Sequence, residues 1–281
     1  MSTVSNRGYL NEDYRLFHSS DRRDVDFQTH SHDFHKLVLC LSGHVTYIVE
    51  GVTYDLSPWD ILLIPRHQIH QSIMRSTEVY ERIVIWINER FFDKYSEPAL
   101  REVFTAPLKR VSGLYCPPKQ LRAPLTEKLY AIERCQHSQV PGSRLLSDTY
   151  LIQVLLELSP HISETPLNTA VRTHSDPRLS AMLAYINQNL AGELSVESVA
   201  AQFYMSPSHL MHTFKQHTGM TLHQYIRQKR LIHAAERIRA GENVTNAALQ
   251  SGFADYTTFL KAFRAQYGCA PGEFRKQSQE I

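Results

Sequence analysis

One pattern occurs twice in the sequence, and this repeat restricts the fold more than any other feature. Residues 206–219 and 255–268 align after a shift of 49 positions. Each copy opens with a side chain that can cap a helix and closes with a glycine, the residue types that favour the two helix ends. Each also holds an inward apolar residue and a phenylalanine followed by a cation. The matching pairs are Ser206 and Asp255, Leu210 and Phe259, Phe214 and Phe263, Lys215 and Arg264, and Gly219 and Gly268.

A short helical segment precedes each copy and carries a small residue, Ala200 or Ala248. Two helices can cross closely at such a residue, whereas a bulky side chain would push the second helix away. Two helices joined by a short turn form a helix-turn-helix, so the sequence predicts two of these units. The second turn is one residue longer and contains Gly252-Phe253-Ala254.

The segment between the copies predicts one long helix. Apolar residues recur among basic ones from Thr221 to Ala240, and Gly241 follows as a stop. Twenty helical residues span about 30 Å, which is close to the roughly 34 Å between successive major-groove faces of B-DNA. A rigid helix of this length would hold the two units about one turn of DNA apart.

With these motifs, residues 178–277 resemble the DNA-binding region of the AraC/XylS family of bacterial transcription regulators. The resemblance rests on the paired units and on the tail from Gly252 to Arg275. It implies that the second helix of each unit enters a major groove of promoter DNA, reading base edges and binding phosphates. The implied base contacts are Ser208, Met211, His212, Tyr256, Thr257 and Lys261, and the implied phosphate contacts are Lys215 and Arg264.

The first reading helix departs from the family's common pattern. Met211 and His212 stand where longer polar residues are frequent, so readout there would use thymine methyl groups or water. A single helix of this kind would be a solvated amphipathic helix, but two copies in register favour DNA binding. The charge distribution agrees with a polyanionic partner, because residues 171–281 carry a net charge of +4 and residues 1–170 carry −2.

The first half of the chain predicts a small β-barrel or sandwich. From Lys36 to Asn88, short runs of β-branched and aromatic residues alternate with turn residues. Glu50-Gly51 lies between two such runs and predicts a tight hairpin. The expected fold class is α+β: a cupin-like barrel followed by two helices, and then an all-α domain with two helix-turn-helix units.

Histidines in the barrel segment resemble the two motifs of the cupin family and the sensor domains that are joined to AraC-type DNA-binding regions. A His30-Ser-His32 motif precedes the strands, and His70 follows the turn after Pro65. Metal-binding cupins add a carboxylate three or four residues beyond such a motif, where this chain has Lys36 or nearby apolar residues. The sequence therefore predicts no metal and no cofactor, with metal binding by the three histidines as the alternative. The predicted contacts to a small effector are His30, His32, Tyr47, Arg66 and His70, while His35, His44 and His67 are assigned no chemistry.

Two apolar-striped helices, at 119–136 and from 143 to about Pro160, follow the barrel. Their stripe, which includes Leu151 and Leu158, can cap the barrel or pair with a second copy in a homodimer. The predicted domains are 1–165 for effector binding and dimerisation and 178–281 for DNA binding, with a linker at 166–177. Ser, Thr, Asn and Pro dominate that linker.

Several other classes are disfavoured. The apolar runs are far shorter than the roughly 20 residues of a membrane-spanning helix, the N-terminus lacks a secretory apolar stretch, and the four cysteines form no CxxC pair. We therefore expect a cytoplasmic protein without membrane contact. The expected function is a regulator, acting as an activator through RNA polymerase and responding to a sugar or other small metabolite. The alternatives are a metal-dependent cupin enzyme with an appended DNA-binding region and a regulator without a ligand.

Overall fold

The computed structural model describes residues 10–22, 28–74, 78–110, 113–164, 173–174 and 176–279. The chain divides into two compact units, Tyr9–His174 and Ser175–Ile281. Each is described by itself below. The predicted linker lies largely outside the described residues, although Thr173–His174 forms a strand of the first unit.

The N-terminal unit contains two antiparallel sheets. The first has the strand order β1-β7-β2-β5-β8 and the second has the order β6-β3-β4-β9. The strands are β1 Tyr14–Asp21, β2 His35–Ser42, β3 Val45–Val49, β4 Val52–Leu56, β5 Ile61–Ile64, β6 His70–Ile73, β7 Tyr80–Ile87, β8 Leu114–Tyr115 and β9 Thr173–His174.

Successive side chains of a strand point to opposite faces, and in β2 both faces are buried. Leu37 and Leu39 join one core, which this sheet shares with the helices of the unit. Val38 and Cys40 join a second core that also includes Tyr47 and draws residues from both sheets. Side chains from both sheets therefore pack against one another between the sheets, and by alternation Lys36 lies on the same face of β2 as Val38 and Cys40.

The hairpin between β3 and β4 confirms the turn predicted from sequence. Val49 pairs with Val52, which leaves two residues in the turn. Glu50 has φ 46° and Gly51 has φ 76°. Positive φ at both central positions is typical of a type I′ turn, whose twist matches the flanking strands.

Four helices follow β7, and only the later two were predicted from sequence. They are α1 Glu89–Tyr95, α2 Pro98–Arg110, α3 Lys119–Gln136 and α4 Ser143–Glu164. Helix α4 does not stop at Pro160 as predicted, because its last turn buries Ile162 in the first core. The predicted stripe of α4, including Leu151 and Leu158, is also buried there. A second copy would therefore have to contact other side chains.

All the regular secondary structure described in the C-terminal unit is helical. Its helices are α5 Pro177–Gln188, α6 Val196–Gln202, α7 Pro207–Thr218, α8 Leu222–Arg239, α9 Val244–Gln250, α10 Tyr256–Tyr267 and α11 Pro271–Gln279. Helix α8 confirms the long central helix, with Thr221 as its N-cap and Ala240 as its C-cap. Its 18 residues span about 27 Å at 1.5 Å per residue.

Among the described residues, no helix combines the length and the apolar character that a membrane span requires.

Candidate functional site

Helix α7 has one fully buried face and one exposed face. Leu210 and Phe214 are completely buried and fix the helix against the rest of its unit. The four side chains that the sequence assigns to DNA in this helix are all exposed, and Met211 retains 49% of its accessible surface. These side chains are Ser208, Met211, His212 and Lys215. Helix α7 therefore presents these four side chains to solvent.

Helix α10 repeats this arrangement. Phe259 and Phe263 are completely buried, at the positions equivalent to Leu210 and Phe214. The four side chains assigned to DNA in this helix are exposed, and Tyr256 retains 42% of its surface. They are Tyr256, Thr257, Lys261 and Arg264. The sequence repeat is thus a structural repeat with the same inner and outer faces.

Local capping fixes where the two helices begin. The Ser206 hydroxyl accepts a hydrogen bond from the backbone N–H of His209 at 3.3 Å, and an Asp255 carboxylate oxygen accepts one from Thr258 at 2.6 Å. Hydrogen bonds from Thr258 lower the pKa of Asp255. These caps satisfy backbone donors that a helix start leaves without partners, so the start of each helix is encoded locally.

Close packing joins the turn of the second helix-turn-helix to the long helix α8 and to the segment that follows α5. Arg230 of α8 donates hydrogen bonds to the backbone carbonyls of Leu190 at 2.8 Å and Gly192 at 2.7 Å. Gly252 has φ +86°, and a Cβ atom there would lie 2.2 Å from the Leu190 carbonyl oxygen and 2.7 Å from Arg230 Nε. Only glycine fits this position without displacing its neighbours.

The sequence analysis did not select two exposed side chains of the C-terminal unit. Tyr204, in the turn between α6 and α7, has φ 54° and is 98% exposed. Leu249 on α9 is 62% exposed. Neither occupies a position repeated in both copies, so the repeat gave no signal for them.

The barrel histidines converge as the cupin likeness implied. His30 and His70 form an antiparallel bridge, with backbone N–O distances of 3.0 and 2.8 Å. The ring centroid of His70 lies 4.4 Å from that of His30 and 4.7 Å from that of His32. His32 and His70 are buried, at 5% and 1% exposed. Burial lowers the pKa of all three rings, so they are neutral near pH 7.

Tyr47 and Lys36 lie on the inner faces of the two sheets. Tyr47 is buried, and the Lys36 ammonium lies 5.6 Å from the centroid of its ring. Burial lowers the pKa of Lys36 to about 8. The buried Nε1–H of Trp86 has no hydrogen-bond acceptor among the described residues. The pairing of β2 with β7 places Trp86 beside Lys36, so polar groups line part of the barrel.

Arg66 lies close to two carboxylates. Its guanidinium lies 3.5 Å from a Glu89 carboxylate oxygen and 3.9 Å from one of Asp33. His35 and Arg101 also contact Glu89, at 3.0 and 2.7 Å. This arrangement is the Glu89 cluster, and it compensates the charge of Arg66. The role of Arg66 as an effector contact stays a prediction.

Glu89→Gln is expected to lower the free energy of unfolding by about 2 kcal/mol at pH 7, since a half-buried network of charged hydrogen bonds loses its carboxylate. Burial alone would raise the pKa of Glu89, but His35, Arg66 and Arg101 together lower it to about 2. A depressed carboxyl pKa stabilises the fold above the unfolded value near 4.5. The difference from wild type should therefore shrink as the pH falls from 4.5 towards 2.

Urea denaturation between pH 7 and 3.5 measures this difference. Glu102→Gln is the matched control, because Glu102 is an exposed glutamate of α2, and it should change stability by less than about 0.5 kcal/mol. Equal stability of the two variants at pH 7 would contradict the role of the Glu89 cluster.

Comparison with known proteins agrees with this architecture. The model of the AraC-like ligand binding domain matches residues 15–155, and that of a helix-turn-helix domain matches residues 199–277. The chain therefore belongs to the AraC family of transcription regulators, which combine a ligand-binding domain with DNA-binding helices.

Individual relatives cover most of the chain. The HTH-type transcriptional activator RhaS of Enterobacter sp. (strain 638) is 28% identical over 262 residues, which is 89% of this chain and 88% of the relative. RhaS of Klebsiella pneumoniae (strain 342) is 26% identical over 267 residues, 91% of this chain and 90% of the relative. The crystal structure of ToxT from Vibrio cholerae O395 is 15% identical, covers 96% of this chain and 99% of its own, and has a TM-score of 0.38.

Proposed function

We propose that this regulator binds promoter DNA with α7 and α10 in adjacent major grooves. One observation carries the proposal: all eight side chains assigned to DNA are exposed, on helices whose opposite faces are completely buried. Six of them would read base edges and two, Lys215 and Arg264, would bind phosphates and set the register. A helix fits the major groove and can present several side chains to base edges there.

Selection of bound fragments from genomic DNA, followed by chemical footprinting, tests this mode of binding. We expect two protected patches about 10 base pairs apart on one face of the duplex, the spacing of successive major grooves. Protection of one patch, or of minor grooves alone, would contradict the use of both helices.

Lys215→Ala and Arg264→Ala should each reduce the salt dependence of binding to a random-sequence duplex. Each phosphate contact releases counterions, so each loss should make the slope of log K against log salt less steep by about 0.9. Fluorescence anisotropy from 50 to 250 mM salt measures the slope. Lys119→Ala, which removes an exposed lysine of the N-terminal unit, should leave it unchanged. Unaltered slopes in both test variants would remove these residues from the phosphate contacts.

The barrel is proposed to bind a small effector, either a sugar or another small metabolite. Support comes from the buried polar groups described above, since Lys36 can bind an anionic group and Trp86 can donate to a hydroxyl or carboxylate oxygen. A thermal-shift screen of sugars and small acids tests this proposal, because a ligand of the native state raises apparent stability. If no compound changes the melting temperature or the transcription, a regulator without a ligand is favoured.

Activation is proposed as the outcome of DNA binding, since the RhaS relatives are named as transcriptional activators. Because promoter DNA lies in the bacterial cytoplasm, the protein is proposed to act there and to contact RNA polymerase. In vitro transcription with purified polymerase should show more transcript when the regulator is added. Less transcript would instead identify a repressor.

A homodimer is proposed, with contacts other than the buried stripe of α4. Several large apolar side chains near or on this helix are exposed, and they are Val140, Leu145, Leu146 and Leu156. Sedimentation at micromolar concentration that finds only monomers would contradict the dimer. An enzymatic role is not proposed, because the relatives are transcription regulators.

A further inference from the structure

The histidine cluster, His30, His32 and His70, has an arrangement that effector binding alone does not explain. One ring nitrogen from each residue lies within 4.8 Å of a ring nitrogen from each of the others. Two of the residues come from one segment and the third from the antiparallel segment bridged to it. Backbone pairing therefore holds the two segments that carry the three rings next to each other.

Hydrogen bonds to the backbone fix the same tautomer in all three rings. Each Nδ1 lies against a carbonyl oxygen: Gln28 for His30 at 2.8 Å, Phe34 for His32 at 2.7 Å, and Gln68 for His70 at 2.9 Å. A carbonyl oxygen only accepts, so each Nδ1 must carry the proton and donate it. In a neutral ring, Nε2 then carries a lone pair and no proton.

Two of these three lone pairs lack hydrogen-bond donors among the described residues. The Nε2 atoms of His32 and His70 are buried and have no hydrogen-bond partner among the described residues. A buried acceptor without a partner costs about 1–3 kcal/mol, and here two such atoms share one cluster with a third imidazole. We propose that His30, His32 and His70 bind one divalent transition metal ion through Nε2.

The donor set selects the class of ion. Neutral imidazole suits zinc, nickel, copper and iron, whereas magnesium and calcium require oxygen ligands. Carbonyl oxygens that hold Nδ1–H are also the usual outer contacts of metal-bound histidine. Zinc–nitrogen bonds of 2.0–2.1 Å place neighbouring nitrogens about 3.3 Å apart in a tetrahedron. Small ring rotations that move each nitrogen by on the order of 1 Å would bring the three nitrogens to this spacing.

The cluster contains no acidic ligand among the described residues. No carboxylate or thiolate of the described residues joins the group. At the positions where metal cupins carry an acid, His35 turns to Glu89 and Lys36 supplies a cation. Three neutral ligands leave the full charge of the ion uncompensated, so a fourth ligand should be water or an anion such as a carboxylate.

Direct titration of untagged, full-length protein with Co²⁺ and Zn²⁺ tests the proposal. After removal of metal with EDTA and exchange into buffer, we expect one ion per chain by calorimetry and visible absorption bands typical of Co²⁺ in a nitrogen site. His32→Gln and His70→Gln should each weaken Zn²⁺ binding by at least about 100-fold, since even loss of an outer contact costs 10- to 100-fold. Failure of wild-type protein to bind either ion would overturn the proposal.

His44→Gln is the matched control, because His44 lies in the same unit with 63% of its side chain exposed, and it should bind Zn²⁺ like wild type. Circular dichroism in EDTA establishes that each variant is folded. If His32→Gln or His70→Gln unfolds the N-terminal unit, His30→Gln replaces it in the Zn²⁺ titration, because His30 is only half-buried. Unchanged Zn²⁺ affinity in every folded ligand variant would overturn the site.

This inference does not depend on the DNA-binding proposal. Binding of metal-free protein to the random-sequence duplex is measured separately in EDTA. Wild-type protein that binds the duplex but neither metal ion would overturn the metal site alone. Protein that binds metal but not the duplex would overturn the DNA-binding proposal alone.

Discussion

Gly252→Ala is expected to lower the free energy of unfolding of the C-terminal unit by about 2–5 kcal/mol. A left-handed conformation costs an L-residue roughly 1–2 kcal/mol, and forcing an extra carbon into a packed site costs about 1–3 more. Both costs apply, since Gly252 has φ +86° and its Cβ would lie 2.2 Å from the Leu190 carbonyl oxygen. DNA binding should fall with stability, because Gly252 lies in the turn before α10.

Gly268→Ala separates the two costs. Gly268 also has a positive φ, +69°, but a Cβ there would meet nothing within 4 Å. We therefore expect a loss of only about 1–2 kcal/mol, measured like Gly252→Ala by urea denaturation at pH 7. Equal losses in the two variants would show that the contact with Leu190 and Arg230 contributes nothing.

The C-terminal unit could be predicted in detail because its signals are local. Ser206 and Asp255 cap their helices through residues three positions away, and Gly219 and Gly268 end them in the left-handed conformation. Short-range capping of this kind is readable in a window of a few residues. The repeat then distinguished buried from exposed positions, because the same roles recur in both copies.

The close contact at Gly252 was not predictable, although the glycine itself was noted. Its neighbours Leu190 and Arg230 are distant in sequence and meet it only through packing. Helices α1 and α2 were missed for a similar reason. Their buried residues, such as Phe91 and Phe104, complete a core made by distant strands, so tertiary packing determines them more than periodicity does.

The barrel site was predicted in outline. Convergence of His30, His32 and His70 followed from the likeness to cupin motifs, but their shared tautomer depends on three backbone carbonyls that no pattern shows. Arg66 was selected from sequence as a polar group that could recognise a sugar or a small carboxylate. Its ion pair with Glu89, which lies 23 positions later, and the position of Trp86 beside Lys36 in the β-sheet register could not be read from the sequence.

The double substitution His212→Ala with Lys261→Ala is expected to weaken binding to a selected genomic site by about 30-fold or more. It removes one proposed base contact from each helix-turn-helix, and a good base contact contributes roughly 1–3 kcal/mol of discrimination. The two side chains lie on different helices, so their losses should add. Stability should change little, since both are exposed.

Electrophoretic mobility shifts at fixed salt, on the selected site and on a scrambled duplex, measure specificity directly. The variant should approach its own affinity for scrambled DNA, because the proposed phosphate contacts of Lys215 and Arg264 would remain. His223→Ala with Lys276→Ala removes the same two residue types from exposed positions on α8 and α11 and should keep wild-type specificity. If the control loses as much as the test variant, or the test variant stays within twofold of wild type, α7 and α10 do not read the bases through these residues.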